Sequence, residues 1–226
     1  MFLHHEPCPS CGSRDNLARY ADGGAFCFGC HYSERASHYV PKSSKVKEYE
    51  KAPELSSDFP PDIVEWVLQY GLSLEELIAR GVGYGRARHQ LVFTFPESAC
   101  WQARNFASGS KSRYFTQGDI NELIPIYDSG LDDGRLVVVE DCISAIKCAR
   151  QIDAMPILGS HVSGGKLASL ARRYDTIIFW LDSDKYKESM NTAQRASLLG
   201  VNSRAVYTEL DPKEHDDVAI QERLVS

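Results

Sequence analysis

The sequence predicts an α/β protein: a parallel β-sheet flanked by helices, preceded by a mixed α+β lobe and a small cysteine-rich N-terminal module. Two observations predict this class. Beyond Gly134, short apolar runs alternate with helical stretches, as in βαβ units whose sheet is covered on both faces. Four of the seven cysteines lie in the first forty residues, and a polar stretch separates them from the remainder. We therefore divide the chain into segments 1–40, 41–58, 59–130 and 131–226.

Length and composition limit the classes of protein to consider. The chain has 226 residues, of which 43% are hydrophobic and 25% charged, a composition typical of water-soluble globular proteins. No apolar stretch approaches the ~20 residues that span a bilayer, so we expect no membrane segment. The first residues lack a secretory signal, and we therefore expect a reducing, cytoplasmic location in which cysteines do not form disulfides.

Segment 1–40 is predicted to be a zinc ribbon. Cys8 and Cys11 form one CxxC pair, and Cys27 and Cys30 form a second pair after fifteen intervening residues. This spacing allows four thiolates to surround one zinc ion tetrahedrally. Reactive dithiols or ordinary buried cysteines are the alternative, but neither explains two pairs at ribbon spacing. We expect one structural zinc, which contributes folding free energy because about forty residues cannot form a sufficient core.

The next two segments are predicted to be a flexible tether and a mixed lobe. Segment 41–58 contains Lys, Ser and Glu with almost no large apolar residue, so it cannot bury enough surface to order itself. In segment 59–130, one helix begins near Pro60-Pro61 and a second begins at a Ser73 cap and ends before Gly81. The first helix has its apolar face at Ile63, Val64, Val67 and Leu68. A β-hairpin is predicted from Gln90–Phe95 and Cys100–Arg104.

Segment 131–226 is predicted to form the parallel sheet. We expect strands at Leu136–Val139, Pro156–Leu158, Thr176–Leu181 and Ser203–Tyr207, and helices at Ile143–Ile152, Lys166–Arg173 and Asn191–Leu199. The ligand crevice of such a sheet lies outside the carboxyl ends of its strands.

Carboxylates follow two of these strands. Glu140 ends the first strand, and Asp182 and Asp184 follow the third at a spacing that points both side chains the same way, roughly 6–7 Å apart. Convergent acids repel one another unless a hard divalent cation binds them, so the pattern predicts a magnesium site. Helix capping is the alternative role for either cluster alone.

Basic residues are concentrated elsewhere in the chain. The formal net charge is −6, yet Glu97 is the only acid between Gly81 and Gly118, where five bases occur. Uneven surface charge is one explanation; the other is a cationic surface for phosphates beside an acidic, metal-binding one. The glycine-rich turn before Lys166 lacks the Walker A pattern, but its backbone N–H groups suit a nucleotide phosphate, with Lys166 as counter-charge.

Taken in order, these motifs resemble the primase half of the bacteriophage primase-helicase family, which is related to bacterial and mitochondrial proteins with a toprim domain. The resemblance covers nearly the whole chain. It is carried by Cys8-Pro9-Ser10-Cys11, Cys27-Phe28-Gly29-Cys30, Val137–Glu140, Leu158–Lys166, Asp182-Ser183-Asp184 and Asp211-Pro212-Lys213-Glu214. The basic stretches Gln102–Phe106 and Lys111–Phe115 resemble the family's lobe segment that contacts template and incoming nucleotide.

The resemblance implies an enzyme that joins ribonucleoside triphosphates into short RNA primers on a single-stranded DNA template. Segment 131–226 would be a toprim catalytic subdomain, and the zinc ribbon would help to select the start sequence. Magnesium or manganese would be held by Glu140, Asp182, Asp184 and Asp211. Phosphates would be held by Arg104, Lys111, Arg113 and Lys166. No helicase motor is found in the sequence, so a separate replicative helicase and the replisome are the expected partners, in the host cytoplasm if the source is a virus.

Three positions depart from the family pattern. Asp141 and Ser144 stand where a glycine and a further acid are usual, and Lys185 follows the paired aspartates in place of a small residue. These changes imply an altered affinity for nucleotides. Two other functions therefore remain open at this point: a DNA-binding clamp of the recombination-mediator type, and a toprim nuclease.

Overall fold

A computed structural model describes residues 2–35, 49–95, 98–120, 123–159 and 161–225. The chain forms two compact units, Met1–Glu48 and Tyr49–Ser226. None of the described helices is long and apolar enough to cross a bilayer.

The N-terminal unit is an antiparallel sheet with a very small core. Its strands pair in chain order: β1 (Phe2–Glu6), β2 (Leu17–Tyr20), β3 (Ala25–Cys27) and β4 (Ser33–Glu34). Cys8 and Cys27 are buried together with Leu17 and Ala25, so two predicted zinc ligands form half of the buried cluster. Such a core is too small to hold the unit together unaided, which agrees with the expected need for a metal.

The predicted tether differs from the structure over its last ten residues. Residues 41–48 lie outside the described part of the chain, but 49–58 belong to the second unit and bond to other parts of it. The backbones of Ser56 and Tyr84 exchange two hydrogen bonds of 2.9 Å. The Trp101 indole N–H donates to the Glu50 carbonyl at 2.9 Å. Backbone pairing needs few apolar side chains, and composition therefore did not reveal this attachment.

The lobe contains two short helices and a four-stranded antiparallel sheet. The helices are α1 (Pro61–Leu68) and α2 (Leu74–Ala79), and the strands are β5 (Val82–Gly85), β6 (Gln90–Thr94), β7 (Trp101–Asn105) and β8 (Tyr114–Gln117), paired in that order. The predicted hairpin is confirmed as β6 and β7, although residues 96 and 97 of its turn lie outside the described part of the chain. Strands β5 and β8 were not predicted.

Local sequence explains both helices of the lobe. The Ser73 hydroxyl accepts a 3.1 Å hydrogen bond from the Glu76 amide, which is the predicted cap of α2. Gly81, with φ +75°, ends the chain reversal after α2. In α1, Ile63 and Val67 are fully buried as predicted, whereas Leu68 is 56% exposed. Leu68 therefore lies outside the buried face to which its spacing assigned it.

The third sheet is fully parallel and confirms the predicted fold class. Its order is β10-β9-β11-β12, which places β9 and β11 in the middle. The elements are β9 (Arg135–Val139), α3 (Cys142–Cys148), β10 (Asp153–Pro156), α4 (Gly164–Arg173), β11 (Thr176–Phe179), α5 (Tyr186–Ser197), β12 (Asn202–Ala205) and α6 (Asp217–Val225).

Alternate residues of the central strands enter two different cores. Val137 and Val139 face a cluster that includes α3, α6 and the lobe helices, whereas Leu136 and Val138 face α4 and α5. Both faces of the sheet are therefore covered, as the continuous apolar runs predicted. Cys142 and Cys148 are buried in the first of these clusters, and Cys100 is buried there as well.

Several elements around this sheet differ from the prediction: α3 ends at Cys148 and not at Ile152, and α6 was not predicted. The bounds of β10 and α5 differ as well. The second strand lies at Asp153–Pro156 and not at Pro156–Leu158. The apolar pattern did not include Asp153 because this residue is polar. In the structure its carboxylate accepts 2.9 Å hydrogen bonds from the Ser129 amide and the Tyr174 hydroxyl. At the other end, Leu158 takes a φ of +55°, which turns the chain out of the strand although the residue stays buried. Helix α5 begins at Tyr186, five residues before its predicted start. The apolar pattern did not reveal its first turn because that turn is polar.

Candidate functional site

The four predicted cysteines of the N-terminal unit meet in one place. Their sulfur atoms all lie within 4.8 Å of one another, with Cys8 to Cys30 at 3.7 Å and Cys11 to Cys27 at 3.8 Å. Four sulfurs bound at ~2.3 Å to a central zinc stand ~3.8 Å apart in a regular tetrahedron. The observed spacing therefore fits one zinc ion.

Two tight turns position these thiols. Gly12, with φ +70°, donates its amide to the Cys8 carbonyl at 3.0 Å, and His31, with φ +61°, donates to the Cys27 carbonyl at 2.9 Å. Burial raises the pKa of Cys8 to about 11, while hydrogen bonding to Ser13 lowers the pKa of Cys11 to about 6. The two thiols thus differ in acidity, and a bound dication would replace the protons of the cluster.

The second unit contains a cavity of about 540 Å³ at the carboxyl ends of β9 and β11. The sheet supplies its acidic wall and the lobe supplies a wall of basic and aromatic groups. The residues that line it are Trp66, Tyr70, Gln102, Arg104, Arg113, Tyr114, Thr116, Glu140, Asp141, Leu158, Gly159, Asp182, Asp211, Lys213 and Glu214. We call this the sheet-end cavity.

Two lysines share the carboxylates of the sheet-end cavity. The Lys185 ammonium lies 2.6 Å from Glu140 Oε1. The Lys213 ammonium donates to Asp141 Oδ2 at 3.0 Å and to Asp211 Oδ2 at 2.6 Å. Among the described residues, nothing donates to the buried atoms Glu140 Oε2 and Asp182 Oδ1. Two buried carboxylate oxygens thus lack the partner that such atoms normally require.

The charges in this cluster do not balance. Burial first, and then the nearby charges of Glu140 and Asp211, together raise the pKa of Asp182 to about 7. Burial alone would lower the pKa of Lys213, but Asp141 and Asp211 outweigh it and the pKa rises. An acid that resists ionisation beside unpartnered carboxylate oxygens marks a deficit of positive charge. The unpartnered oxygens of Glu140 and Asp182 are of the kind that hard divalent cations take as ligands.

Helix capping explains one acid of the cluster. Asp141 is the N-cap of α3: its Oδ1 accepts from the Ser144 amide and its Oδ2 from the Ser144 hydroxyl, both at 3.0 Å. Asp182 precedes a 3₁₀ turn without making a side-chain cap, and Glu140 lies before the capping position. Two of the three residues that depart from the family pattern, Asp141 and Ser144, thus bond to each other. Capping does not account for Glu140 or Asp182.

The structure separates the other predicted site residues into two groups. Asp211, Arg104 and Arg113 line the sheet-end cavity together with Glu140 and Asp182. Asp184 and Lys111 are exposed and lie outside that lining, and so does Lys166, which is buried on α4.

Arg104 is held by aromatic rings that the sequence did not connect with it. Its guanidinium carbon lies 4.2 Å from the ring centroid of Trp66, and 5.4 and 5.5 Å from those of Phe106 and Tyr114. Its Nη1 donates to the Tyr114 hydroxyl at 3.3 Å, and its buried Nε makes no hydrogen bond to the described residues. Trp66 lies on α1 and Tyr70 lies in the turn just after it, and their spacing of four residues was the only signal for them.

Comparisons with known proteins bear on the fold. No family model matches the sequence. The zinc-binding and RNA polymerase domains of the Aquifex aeolicus primase are similar over 98% of this chain and 77% of that chain, with a TM-score of 0.60 and 13% identity. The primase fragment of the bacteriophage T7 primase-helicase protein gives a TM-score of 0.49 at 17% identity, over 100% and 98% of the two chains.

A DNA primase domain from Pseudomonas aeruginosa gives a TM-score of 0.47 at 18% identity, over 67% of this chain and 58% of that chain. The Aquifex likeness shows that this chain has the fold of primase zinc-binding and RNA polymerase domains, which confirms the fold that the resemblance implied. The other two likenesses have TM-scores below 0.5 and add nothing to that conclusion.

Proposed function

We propose that this chain is a DNA primase, an enzyme that joins ribonucleoside triphosphates into short RNA primers on single-stranded DNA. The observation that carries the proposal is the sheet-end cavity. Carboxylates from β9 and β11 face Arg104 and Arg113 across a single space, beside the aromatic rings of Trp66 and Tyr70. A reaction between two phosphate-bearing substrates needs both kinds of wall.

The acidic wall would act on the reacting groups. Glu140 and Asp182 would hold magnesium or manganese through the oxygens that lack a partner, with Asp211 beside them. The bound cation would neutralise charge on the triphosphate and favour loss of a proton from the attacking 3′-hydroxyl. Glu140 would also accept that proton. Asp184 is exposed outside the lining, so we assign it to the outer edge of the site.

The basic wall would orient the phosphates. Arg104 presents a planar guanidinium whose position is fixed by Trp66, Phe106 and Tyr114, so little side-chain freedom is lost when a phosphate binds. Arg113 lines the same side of the cavity. Exposed Lys111 would contact template further out, and Lys166 would act through the turn that begins α4.

Segment assignments follow from this proposal. Residues 1–40 would contact template as a zinc ribbon, 59–130 would form the basic lobe, and 131–226 would be the toprim subdomain. A separate replicative helicase within the replisome would place the enzyme at its template.

Primer synthesis can be tested directly. Zinc-loaded protein is incubated with mixed-sequence single-stranded DNA, labelled ribonucleotides and magnesium, and the products are separated on a denaturing gel. We expect short RNA from the wild type and a loss of roughly 100-fold or more in Glu140→Gln and Asp182→Asn. Glu209→Gln, which changes an exposed acid outside the cavity, is the matched control.

Each other outcome has its own meaning. DNA binding without RNA synthesis in the wild type would refute the proposal and favour a clamp of the recombination-mediator type. Cleavage of the DNA by the wild type, lost in the two cavity variants, would favour a nuclease. RNA synthesis that survives in both variants would show that the sheet-end cavity is not the active site.

A further inference from the structure

The ammonium groups of Lys185 and Lys213 bond to carboxylates of the acidic wall, which in a metal-dependent enzyme are expected to bind metal ions. We propose that Lys213 takes the place of a second cation, so that the cluster binds a single divalent cation through Glu140 and Asp182. This inference rests on the proposed function, from which the expectation of a divalent metal comes.

Lys213 occupies a bridging position between two carboxylates. Its ammonium lies 3.0 Å from Asp141 Oδ2 and 2.6 Å from Asp211 Oδ2. The side chains of Lys213 and Asp141 are only 15% and 14% exposed. An ammonium that joins two enclosed carboxylates occupies the position that a bridging dication would need.

The backbone around Lys213 is fixed as well. Its carbonyl accepts a 2.9 Å hydrogen bond from the Lys147 ammonium, and the preceding Pro212 is buried. The Asp211 amide donates to the Glu214 carboxylate at 2.8 Å, which closes the turn. The backbone that carries Lys213 is therefore held by several bonds, which keeps the base of its side chain beside both carboxylates.

The Asp141 oxygen that faces Lys213 already accepts two hydrogen bonds. Both of its oxygens accept hydrogen bonds from Ser144, and Oδ2 also accepts from Lys213. A divalent ion that bound Asp141 would have to displace the lysine and part of the α3 cap. Asp141 and Asp211 are thus already bridged by a cation that the protein itself supplies, Lys213.

Lys185 differs from Lys213 in its attachment. It makes a single contact with the cluster, to Glu140 Oε1, and its side chain is 28% exposed. Glu140 Oε2 and Asp182 Oδ1 are buried and unpartnered next to it. A dication can therefore bind these two oxygens and displace the Lys185 ammonium into solvent, which makes Lys185 a competitor and Lys213 a permanent cation.

The number of bound ions distinguishes these roles. Mn²⁺ is added to the zinc-loaded full chain, and the free ion is followed by electron paramagnetic resonance without any substrate. We expect one Mn²⁺ per chain for the wild type. Lys185→Met should still bind one, roughly fivefold more tightly, because the competing ion pair is gone. Lys213→Met should bind two, since Asp141 and Asp211 would then face each other without a cation.

Two controls isolate the effect of charge. Lys187→Met removes an exposed lysine from the first turn of α5 and should behave as the wild type. Lys213→Arg retains the bridging cation, so it should bind one Mn²⁺ even though Lys213→Met binds two. Thermal unfolding confirms that each variant is folded, and if Lys213→Met is not, Lys213→Gln replaces it.

The outcomes separate this inference from the proposed function. Two Mn²⁺ bound by the wild type, or one bound by folded Lys213→Met, would overturn the inference while leaving primer synthesis open. No Mn²⁺ bound by the wild type would overturn the inference and the proposed metal site together. One Mn²⁺ in the wild type and two in Lys213→Met, with no primers on the denaturing gel, would support the inference and refute the function.

Discussion

Replacing Arg150 by Met should destabilise the second unit by about 2–3 kcal/mol. Arg150 follows α3, and its guanidinium joins three other parts of the fold. It donates to the Glu76 carboxylate on α2, to both oxygens of Asp217 on α6, at 2.9 and 3.0 Å, and to the Gly71 carbonyl at 2.9 Å. The residue therefore ties a helix of the lobe to two helices of the parallel sheet.

The magnitude follows from how enclosed each partner is. The Arg150 and Glu76 side chains are 26% and 20% exposed, whereas Asp217 is 49% exposed. A charge-assisted pair with an enclosed carboxylate contributes about 2 kcal/mol, and an exposed pair contributes less than about 1 kcal/mol. Glu76 first, and then Asp217, raise the pKa of Arg150 beyond its usual range, so the arginine stays charged. We expect the same loss at pH 6 and pH 9.

Urea unfolding monitored by tryptophan fluorescence measures this loss, because the three tryptophans, Trp66, Trp101 and Trp180, all lie in the second unit. At 2–4 °C per kcal/mol, the melting temperature should fall by about 4–12 °C. Arg195→Met, on the exposed side of α5, is the matched control. A loss below about 0.5 kcal/mol, or one equal to that of the control, would refute the clamp that we assign to Arg150.

Three further predictions concern the two sites. Cys27→Ser should remove zinc and the dispersed amide NMR signals of residues 2–35, and dispersion retained without metal would contradict the structural role of zinc. Asp182→Asn should stabilise the protein by about 2 kcal/mol at pH 8 in magnesium-free buffer, with no effect near pH 4. The folded pKa of about 7 lies above the ordinary 3.8. The cost of ionising Asp182 in the fold is therefore absent below pH 3.8, grows between pH 3.8 and 7, and is complete above pH 7. Partial exposure of the side chain reduces this cost. Urea unfolding at both pH values checks this, and equal effects would contradict it. Arg104→Lys should weaken ribonucleoside triphosphate binding roughly tenfold in calorimetry, because an ammonium cannot stack on Trp66. The free energy of unfolding should fall by less than the free energy of binding does. Unchanged affinity would remove Arg104 from the site.

Apolar spacing predicted the elements whose buried face is also their most apolar face. Strands β9 and β11 and helix α4 lie close to their predicted positions for this reason. The prediction was wrong at Leu158, because this apolar residue is buried on a turn with φ +55° and not in a strand. Strand β5 was missed because two of its four residues are glycine, so it has little side-chain pattern to read.

The site could be predicted only as far as neighbours in sequence determine it. Glu140 and Asp182 follow the ends of strands, and parallel strands bring such positions together. The pairing of Lys185 with Glu140 joins residues 45 positions apart, and Lys213 reaches Asp141 across 72. Those contacts depend on the path of the chain after β11 and β12, which no local pattern specifies. Trp66 enters the cavity through the packing of α1, which the sequence likewise left open.

The seven cysteines fall into two chemically distinct sets. Cys142 and Cys148 are buried in the core of the second unit, where burial raises the pKa of both thiols, and Cys100 is 7% exposed. The other four form the cluster whose spacing fits one zinc ion. A thiol-directed dye should therefore leave the folded core unlabelled and react at the N-terminal unit as zinc departs. Without any engineered label, the native chain thus provides an optical signal for metal loss, separate from the tryptophan signal for unfolding.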